Sequence, residues 1–239
     1  MVLLNYQPPI TPYLTLLHRD EDVLVLAKPS GLLSVKGRAE QHFDSLQTRT
    51  QRVFPTASVV HRLDMATSGI ILMALNKDAN RDLSRQFQQR MVSKRYIARV
   101  FGHPSEDNGV IELPLICDWP NRPKQMVDEV NGKPSITHYH VLARDAYSSL
   151  VELKPITGRS HQLRVHMQAL GHPILGDRLY AHEEALRVSE RLLLHAEAIE
   201  FSHPSHGKTM RFELPHTFNV EPSAEMHHQH QAFIKLSQP

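Results

Sequence analysis

Val60-His61-Arg62-Leu63-Asp64-Met65-Ala66-Thr67-Ser68-Gly69-Ile70-Ile71-Leu72 sets an Asp, an Arg and a His in a short polar segment between two apolar runs. The second run, Ile70 to Leu75, is continuously apolar and β-branched at its start, the pattern of a strand buried on both faces. A polar loop clamped between two strands is where a scaffold presents reactive groups. An Asp or Ser in a loop also commonly hydrogen-bonds its own backbone in a turn. The choice between these readings depends on what the rest of the chain supplies.

The 239 residues are 41% hydrophobic and 22% charged, an ordinary globular balance, and long enough to bury a full core. Sixteen prolines against ten glycines point to many strand ends and turns. No apolar run approaches the roughly 20 residues of a membrane span, and the N-terminus lacks the pattern of a signal peptide. One cysteine, Cys117, excludes an internal disulfide and suits a reducing cytoplasm, the expected location. The net charge of +2 is no nucleic-acid signature by itself, but Arg81, Arg85, Arg90, Lys94, Arg95 and Arg99 cluster with only Asp82 among them. That cluster reads either as a basic face or as a solvated helix face with scattered ion pairs.

Taken in order, Leu14–Leu17 and Asp22–Lys28 are expected to form a strand pair closed by the turn Pro29-Ser30-Gly31. Asp44 is placed as the N-cap of a helix that Pro55 stops, and Asn76 as the cap of a helix from about Lys77 to Arg90. Ser93–Phe101 alternates as a strand with Tyr96, Ala98 and Val100 on one side. Val110–Leu113 is a further short strand, and Ile136–Ala143 with Ser149–Pro155 an antiparallel pair. The Cys117–Gln125 segment is a polar loop holding Trp119, the only Trp, whose ring either anchors the loop or stacks on a base.

Ser160 is expected to cap a helix ended by Gly171, with Leu163, Met167 and Leu170 on its inner face. Arg164 near that helix start runs against the macrodipole, which a carboxylate partner would explain. Glu183–Glu190 suits a short surface helix, and Leu192–Phe201 and Lys208–Leu214 closing strands. The expected fold is one α+β domain with a mixed, largely antiparallel sheet flanked by helices, spanning residues 1–215. A polar tail over 216–239, with His227, His228 and His230, is expected to be flexible.

Seventeen histidines invite metal chemistry, but His161 and His166 lie five apart and no HExxH occurs, so no metal is expected. Phosphate-loop and GxSxG signatures are also missing. What remains is a carboxylate working with an arginine and an aromatic ring. A buried Asp beside an Arg keeps its charge and can act as a nucleophile or base without a cofactor. Asp64, Arg164 and Tyr96 are the candidates, although spacing along the chain does not bring them together.

His61-Arg62-Leu63-Asp64 with Thr67-Ser68-Gly69, then Lys94-Arg95-Tyr96 with Val100, then Gly158-Arg159-Ser160-His161-Gln162-Leu163-Arg164 with His166 resembles, in order, the motifs of the RluA family of pseudouridine synthases. Lys28-Pro29-Ser30-Gly31 precedes the set and Gly171 to Asp177 follows it. The resemblance implies the pseudouridine-synthase fold with an active-site cleft across the sheet, and a cofactor-free isomerase converting uridine to pseudouridine in RNA loops.

It implies Asp64 as the nucleophile, Arg164 as its salt-bridge partner and Tyr96 as the ring stacked on uracil. Leu163 would pack on the base from the other side, and Arg62 would fill the gap left by the flipped nucleotide. His61 is grouped with the substrate-binding residues, with loop hydrogen bonding as its alternative. The Cys117–Gln125 loop resembles members acting on both tRNA and 23S rRNA, implying stem-loops with targets at anticodon-loop position 32 and 23S rRNA position 746. A monomer is expected, with no protein partner and no membrane. Two other classes stand beside this reading: a non-catalytic RNA-binding protein or RNA chaperone on the same scaffold, and a nucleoside glycosidase, which normally needs a second carboxylate.

Overall fold

In the computed structural model, residues 6–218 are described. Strands β1 (Thr15–Arg19) and β2 (Val23–Lys28) form the expected antiparallel pair, and β2 pairs in turn with β4 (Ser68–Ala74). Every residue of β4 is buried, as its unbroken apolar run requires. Its side chains divide by parity. Ile70, Leu72 and Ala74 pack with Ala79 and Leu83 of helix α2 (Lys77–Gln88), while Ile71 and Met73 pack with Leu46 of helix α1 (Leu46–Val53). The short strand β3 (Ser58–Val59) pairs with the far end of β4, so the polar loop between them is held at both ends.

The second half of the sheet is built on β5 (Ser93–Phe101), β10 (Ser148–Pro155), β9 (Ile136–Arg144) and β6 (Asn108–Glu112), all antiparallel to their neighbours. Strand β11 (Leu194–Ser202) joins the two halves, giving the order β1-β2-β4-β11-β5-β10-β9-β6, with β12 (Thr209–Glu213) paired to β11. Its contact with β4 is the parallel one, which makes the sheet mixed but largely antiparallel, as expected. That contact is close. A Cβ on Gly69, whose φ is +119°, would lie 2.2 Å from the Ala196 carbonyl oxygen.

Helix α3 (Gln162–Ala169) lies on β5 and β10, with Leu163 and Met167 packed among Ala98, Val100, Val151 and Leu153. Helix α4 (Glu183–Arg187) packs on the other side, where Ala185 meets Ile97 and Leu193. The alternation expected of Ser93–Phe101 is therefore present.

Four local readings are revised or decided. Ser45, not Asp44, caps α1; Asp44 instead grips the buried Arg49 with both carboxylate oxygens. Ser160 does not cap α3, because His161 takes the cap position at φ 54° with no side-chain cap bond. The Cys117–Gln125 segment is flanked by a small hairpin, β7 (Leu115–Cys117) and β8 (Gln125–Val127), with Trp119 at its tip. Arg122 lies over that ring, which is 67% exposed rather than anchored in the core.

The fourth concerns the basic cluster. Arg81 pairs with Asp78, Arg85 with Asp82, Arg95 with Glu197 and Glu213, and Arg99 with Asp145. Of its two readings, the one with scattered ion pairs describes most of the cluster. At the C-terminal end, Phe218 is buried beside Leu175 and Leu193, so the packed unit runs past residue 215. Residues 219–239, including the tail histidines, lie outside the described residues.

Candidate active site

The loop carrying Asp64 is fixed from beneath by the turn that follows β2. Lys28 is fully buried, and its Nζ donates to the carbonyls of Pro29, Leu32 and Met65. Ser30 Oγ donates to the Ala66 carbonyl, and the Gly31 amide to that of Met65. Ser34 Oγ donates to Leu63 O and accepts from Leu63 N. The backbone on both sides of Asp64 is thereby pinned while its side chain keeps 27% exposure. Burial pushes the Lys28 ammonium down to about 7, opposed in part by the charge of Asp64.

Arg164 enters from the first turn of α3. Its Nη1 reaches Asp64 Oδ2 at 3.2 Å. Its other edge is taken by Asp177: Nε to Oδ2 at 2.7 Å and Nη2 to Oδ1 at 2.6 Å. Asp177 is fully buried and also accepts from the amides of Leu179 and Tyr180. The arginine against the helix dipole thus has two carboxylate partners. Burial opposes its charge, but the hydrogen bonds and charges of Asp177 and Asp64 more than offset that and hold its pKa above the usual value.

Tyr180 completes this wall. Its ring lies under the Arg164 guanidinium, its hydroxyl accepts from the Gln125 amide, and it stands 2.6 Å from His161 Nδ1. With Nδ1 as acceptor, the His161 proton belongs on Nε2, the atom 3.9 Å from Asp64 Oδ2. Burial lowers the His161 pKa, with Asp64 acting in the opposite sense.

Tyr96 stands on β5 opposite Ala196 and Leu153 and packs against two of the buried apolar groups, one holding Leu163 and the other Leu63. Burial, with Asp64 adding to it, raises its pKa, so the ring is a neutral phenol at physiological pH. Leu163 and Ala66 pack on the same apolar group as Tyr96. Three segments far apart in the sequence, around residues 64, 96 and 164, therefore meet at one site.

A sequence profile described as RNA pseudouridylate synthase matches residues 22–169, more than half of the chain and all three of these segments.

The chain belongs to the RNA pseudouridylate synthase family.

The synthase is 59% identical over 215 residues to the dual-specificity RNA pseudouridine synthase RluA of Salmonella typhimurium, covering 90% of this chain and 98% of that one. Against the enzyme of that name from Haemophilus influenzae the identity is 51% over 219 residues, 91% of this chain and 100% of the other. Among solved structures, human RNA Pseudouridylate Synthase Domain Containing 1 superposes with a TM-score of 0.74 at 30% identity, covering 98% of both chains. The chain is thus an isomerase that makes pseudouridine in RNA, and the non-catalytic alternative is not favoured.

Of the residues singled out in the sequence, the synthase brings Asp64 and Arg164 into contact and sets Tyr96 and Leu163 against a shared apolar wall. Arg62 is exposed on the loop two residues before Asp64 and makes no hydrogen bond or ion pair with any described residue. His61 is different. Its Nε2 accepts from the Leu72 amide and its ring stacks on Phe87, so it braces the loop. Burial, and then the charge of Lys94, push its pKa down to about 3.

Sequence reasoning missed Asp177, Lys28 and Tyr180. The first two stood inside segments quoted for the family resemblance, so their place in the ordered motif set was the available signal. Asp177 also answers the glycosidase reading. It is the second carboxylate near Asp64, but both its oxygens are turned to Arg164 and the following backbone. As for metals, Asp20, Asp22 and His203 bring possible ligand atoms within 4.8 Å of one another. They sit at the β1–β2 turn and after β11, where they already hydrogen-bond to one another and to His18, Asn76 and Ser205.

Proposed function

We propose that Asp64 is the catalytic carboxylate, acting on uridines in tRNA and 23S rRNA stem-loops. The observation that carries this reading is the placement of Asp64: a partly exposed carboxylate on a pinned backbone, bonded to an arginine that a second, buried carboxylate holds in place. A group so fixed needs little reorganisation as charge develops at the glycosidic bond.

In the reaction, the N1–C1′ bond breaks and the freed uracil turns within the cleft. The C5–C1′ bond then forms, and the proton lost from C5 is balanced by one gained at N1. Asp64 starts this sequence by attack at the ribose, by attack at the base or through elimination. All three use the same carboxylate and leave the net isomerisation unchanged. Tyr96 and Leu163 would offer apolar surfaces for the uracil, and the exposed Arg62 would fill the stack when the nucleotide is flipped. Extrusion costs least in a loop whose bases are already partly unstacked.

The choice of two RNA classes, with anticodon-loop position 32 and 23S rRNA position 746 as targets, draws on the likeness to the dual-specificity relatives. Asp64, Tyr96, Arg164 and Asp177 all come from one chain, which supports action as a monomer; the RNA substrates and the single thiol fit a cytoplasmic setting. The test is Asp64→Asn with chemical mapping of pseudouridine on both RNAs. RNA affinity should stay near wild type while pseudouridine formation disappears. Product formed by the variant at the wild-type rate would end the assignment.

A further inference from the structure

Two members of the basic cluster, Arg90 and Lys94, have no ion pair with any described residue, and of these Arg90 is exposed while Lys94 is not. Lys94 lies two residues before Tyr96 on β5, so both side chains leave the strand in the same direction. It is half-buried, yet its ammonium makes no hydrogen bond, ion pair or ring contact with any described residue. The nearby strand acids are committed elsewhere. Glu197, Glu213 and Glu152 all lie within 4 Å of Arg95, the next residue, whose side chain leaves β5 the other way. Across the strand pair Lys94 faces Ile199.

Its surroundings place it beside the loops that carry the site residues. A Cβ on Gly158 would lie 3.8 Å from Lys94 Nζ, so the ammonium stands over the bare backbone that leads into α3. Its charge also depresses the basicity of His61, in the loop that carries Arg62 and Asp64. Lys94 therefore sits between the two loops that frame the site. Desolvation opposes a charge held in this way, and burying an unpaired ammonium carries no folding benefit. A ligand anion supplies the missing partner.

We propose that Lys94 binds a backbone phosphate of the RNA strand next to the flipped uridine, as a binding residue of the cleft rather than a group that touches the reacting atoms. The inference rests on the reading of the substrate as stem-loop RNA. With Arg62 filling the stack and Lys94 holding the strand, the extruded nucleotide is fixed on both its base and its backbone side. A compact ammonium suits one phosphate oxygen as a point charge.

The test compares wild type, Lys94→Met and Lys94→Arg on a tRNA anticodon stem-loop of natural sequence, with Kd measured over a range of salt. For Lys94→Met the affinity at low salt should fall about tenfold, the weight of a charged hydrogen bond. The slope of log K against log salt should flatten by about 0.7–0.9, one phosphate contact. Lys94→Arg should recover most of both. Because the lysine has no protein partner, Lys94→Met should melt no lower than wild type.

A second measurement works from the RNA side. A neutral methylphosphonate placed in turn at each linkage flanking the target uridine should weaken wild type at one position and leave Lys94→Met unaffected there. An unchanged slope and Kd in Lys94→Met, or a parallel fall in its melting temperature, would overturn the inference. So would additive losses from the protein and RNA changes. Absence of pseudouridine from wild-type reactions would instead count against the substrate reading, which keeps the two failures apart.

Discussion

Asp177 holds two of the three guanidinium nitrogens of Arg164, Nε and Nη2, and leaves Nη1 to Asp64. The arginine is thus shared between a fully buried carboxylate and a partly exposed one, and the two have different duties. Asp177 fixes the fork, and the fork orients Asp64.

This sharing makes the single and double substitutions of the pair diverge. Arg164→Met leaves Asp177 buried without its cation and should cost about 3–5 kcal/mol of stability as well as activity. Arg164→Met combined with Asp177→Asn removes both charges and should recover most of the lost stability, with pseudouridine formation still missing. Urea unfolding beside a product assay on the three proteins separates the structural from the catalytic part. Recovery of activity in the double variant would show that Asp64 needs no arginine.

Lys28 carries a second prediction. Lys28→Met strands three carbonyls, including that of Met65 beside Asp64, and each unsatisfied group costs about 1–3 kcal/mol. Its folded pKa of about 7 lies below the ordinary 10.5. Between those values the unfolded chain binds more protons, so the lysine's contribution to stability grows as pH rises. The deficit of Lys28→Met relative to wild type should therefore widen from pH 7 toward 10.5. Denaturant midpoints at several pH values read this directly, and a constant deficit would contradict it.

His61 gives the acid-side counterpart. With a folded pKa of about 3 against 6.5, the folded protein keeps this ring neutral while the unfolded chain takes up a proton. Stability from His61 is full above 6.5 and is lost as pH falls toward 3, at up to about 1.4 kcal/mol per pH unit. His161, His166 and His195 are shifted in the same direction by burial. His61→Gln, whose amide oxygen can still accept from Leu72, should flatten the acid slope by one proton while the other histidines keep theirs. Unfolding followed at pH 4.5 and 6.5 would detect the difference.

Gly69→Ala should be among the most damaging single changes. The new Cβ would fall 2.2 Å from Ala196 O and 2.5 Å from Ala196 N, at a φ that disfavours any side chain. The expected loss is at least about 3 kcal/mol, from forced separation of β4 and β11 together with backbone strain. Native-like melting in that variant would argue against the close parallel pairing.

Much of this fold could be read from the sequence because its signals are local. The unbroken apolar run of β4, the alternation of β5 and the Asn76 cap of α2 each follow from neighbouring residues. Asp64, Tyr96 and Arg164 were located by motif order, and residue type gave their chemistry. What escaped depends on contacts across the chain. Nothing local in Asp177 reveals that it clamps Arg164, and Lys28 is a surface residue by type that the fold buries. The basic cluster stays open between its two readings for the same reason, since the partners of Arg95 lie on β10, β11 and β12 and that of Arg99 in the turn between β9 and β10, far along the chain. His161 displaced Ser160 at the start of α3 because its ring is held by Tyr180, nineteen residues on.

The position of β11 bears on how the enzyme comes into being. The strands that support Asp64 and those that carry Tyr96 form two half-sheets, and the strand between them is made almost last. On the ribosome, a nascent chain of some 190 residues would hold both halves of the catalytic apparatus with an open seam where β11 belongs. Only when Leu194–Ser202 emerges can it insert between β4 and β5 and draw the halves into register. Activity during synthesis or refolding should therefore arrive in one late step, and a chain cut before β11 should leave two exposed strand edges that invite aggregation.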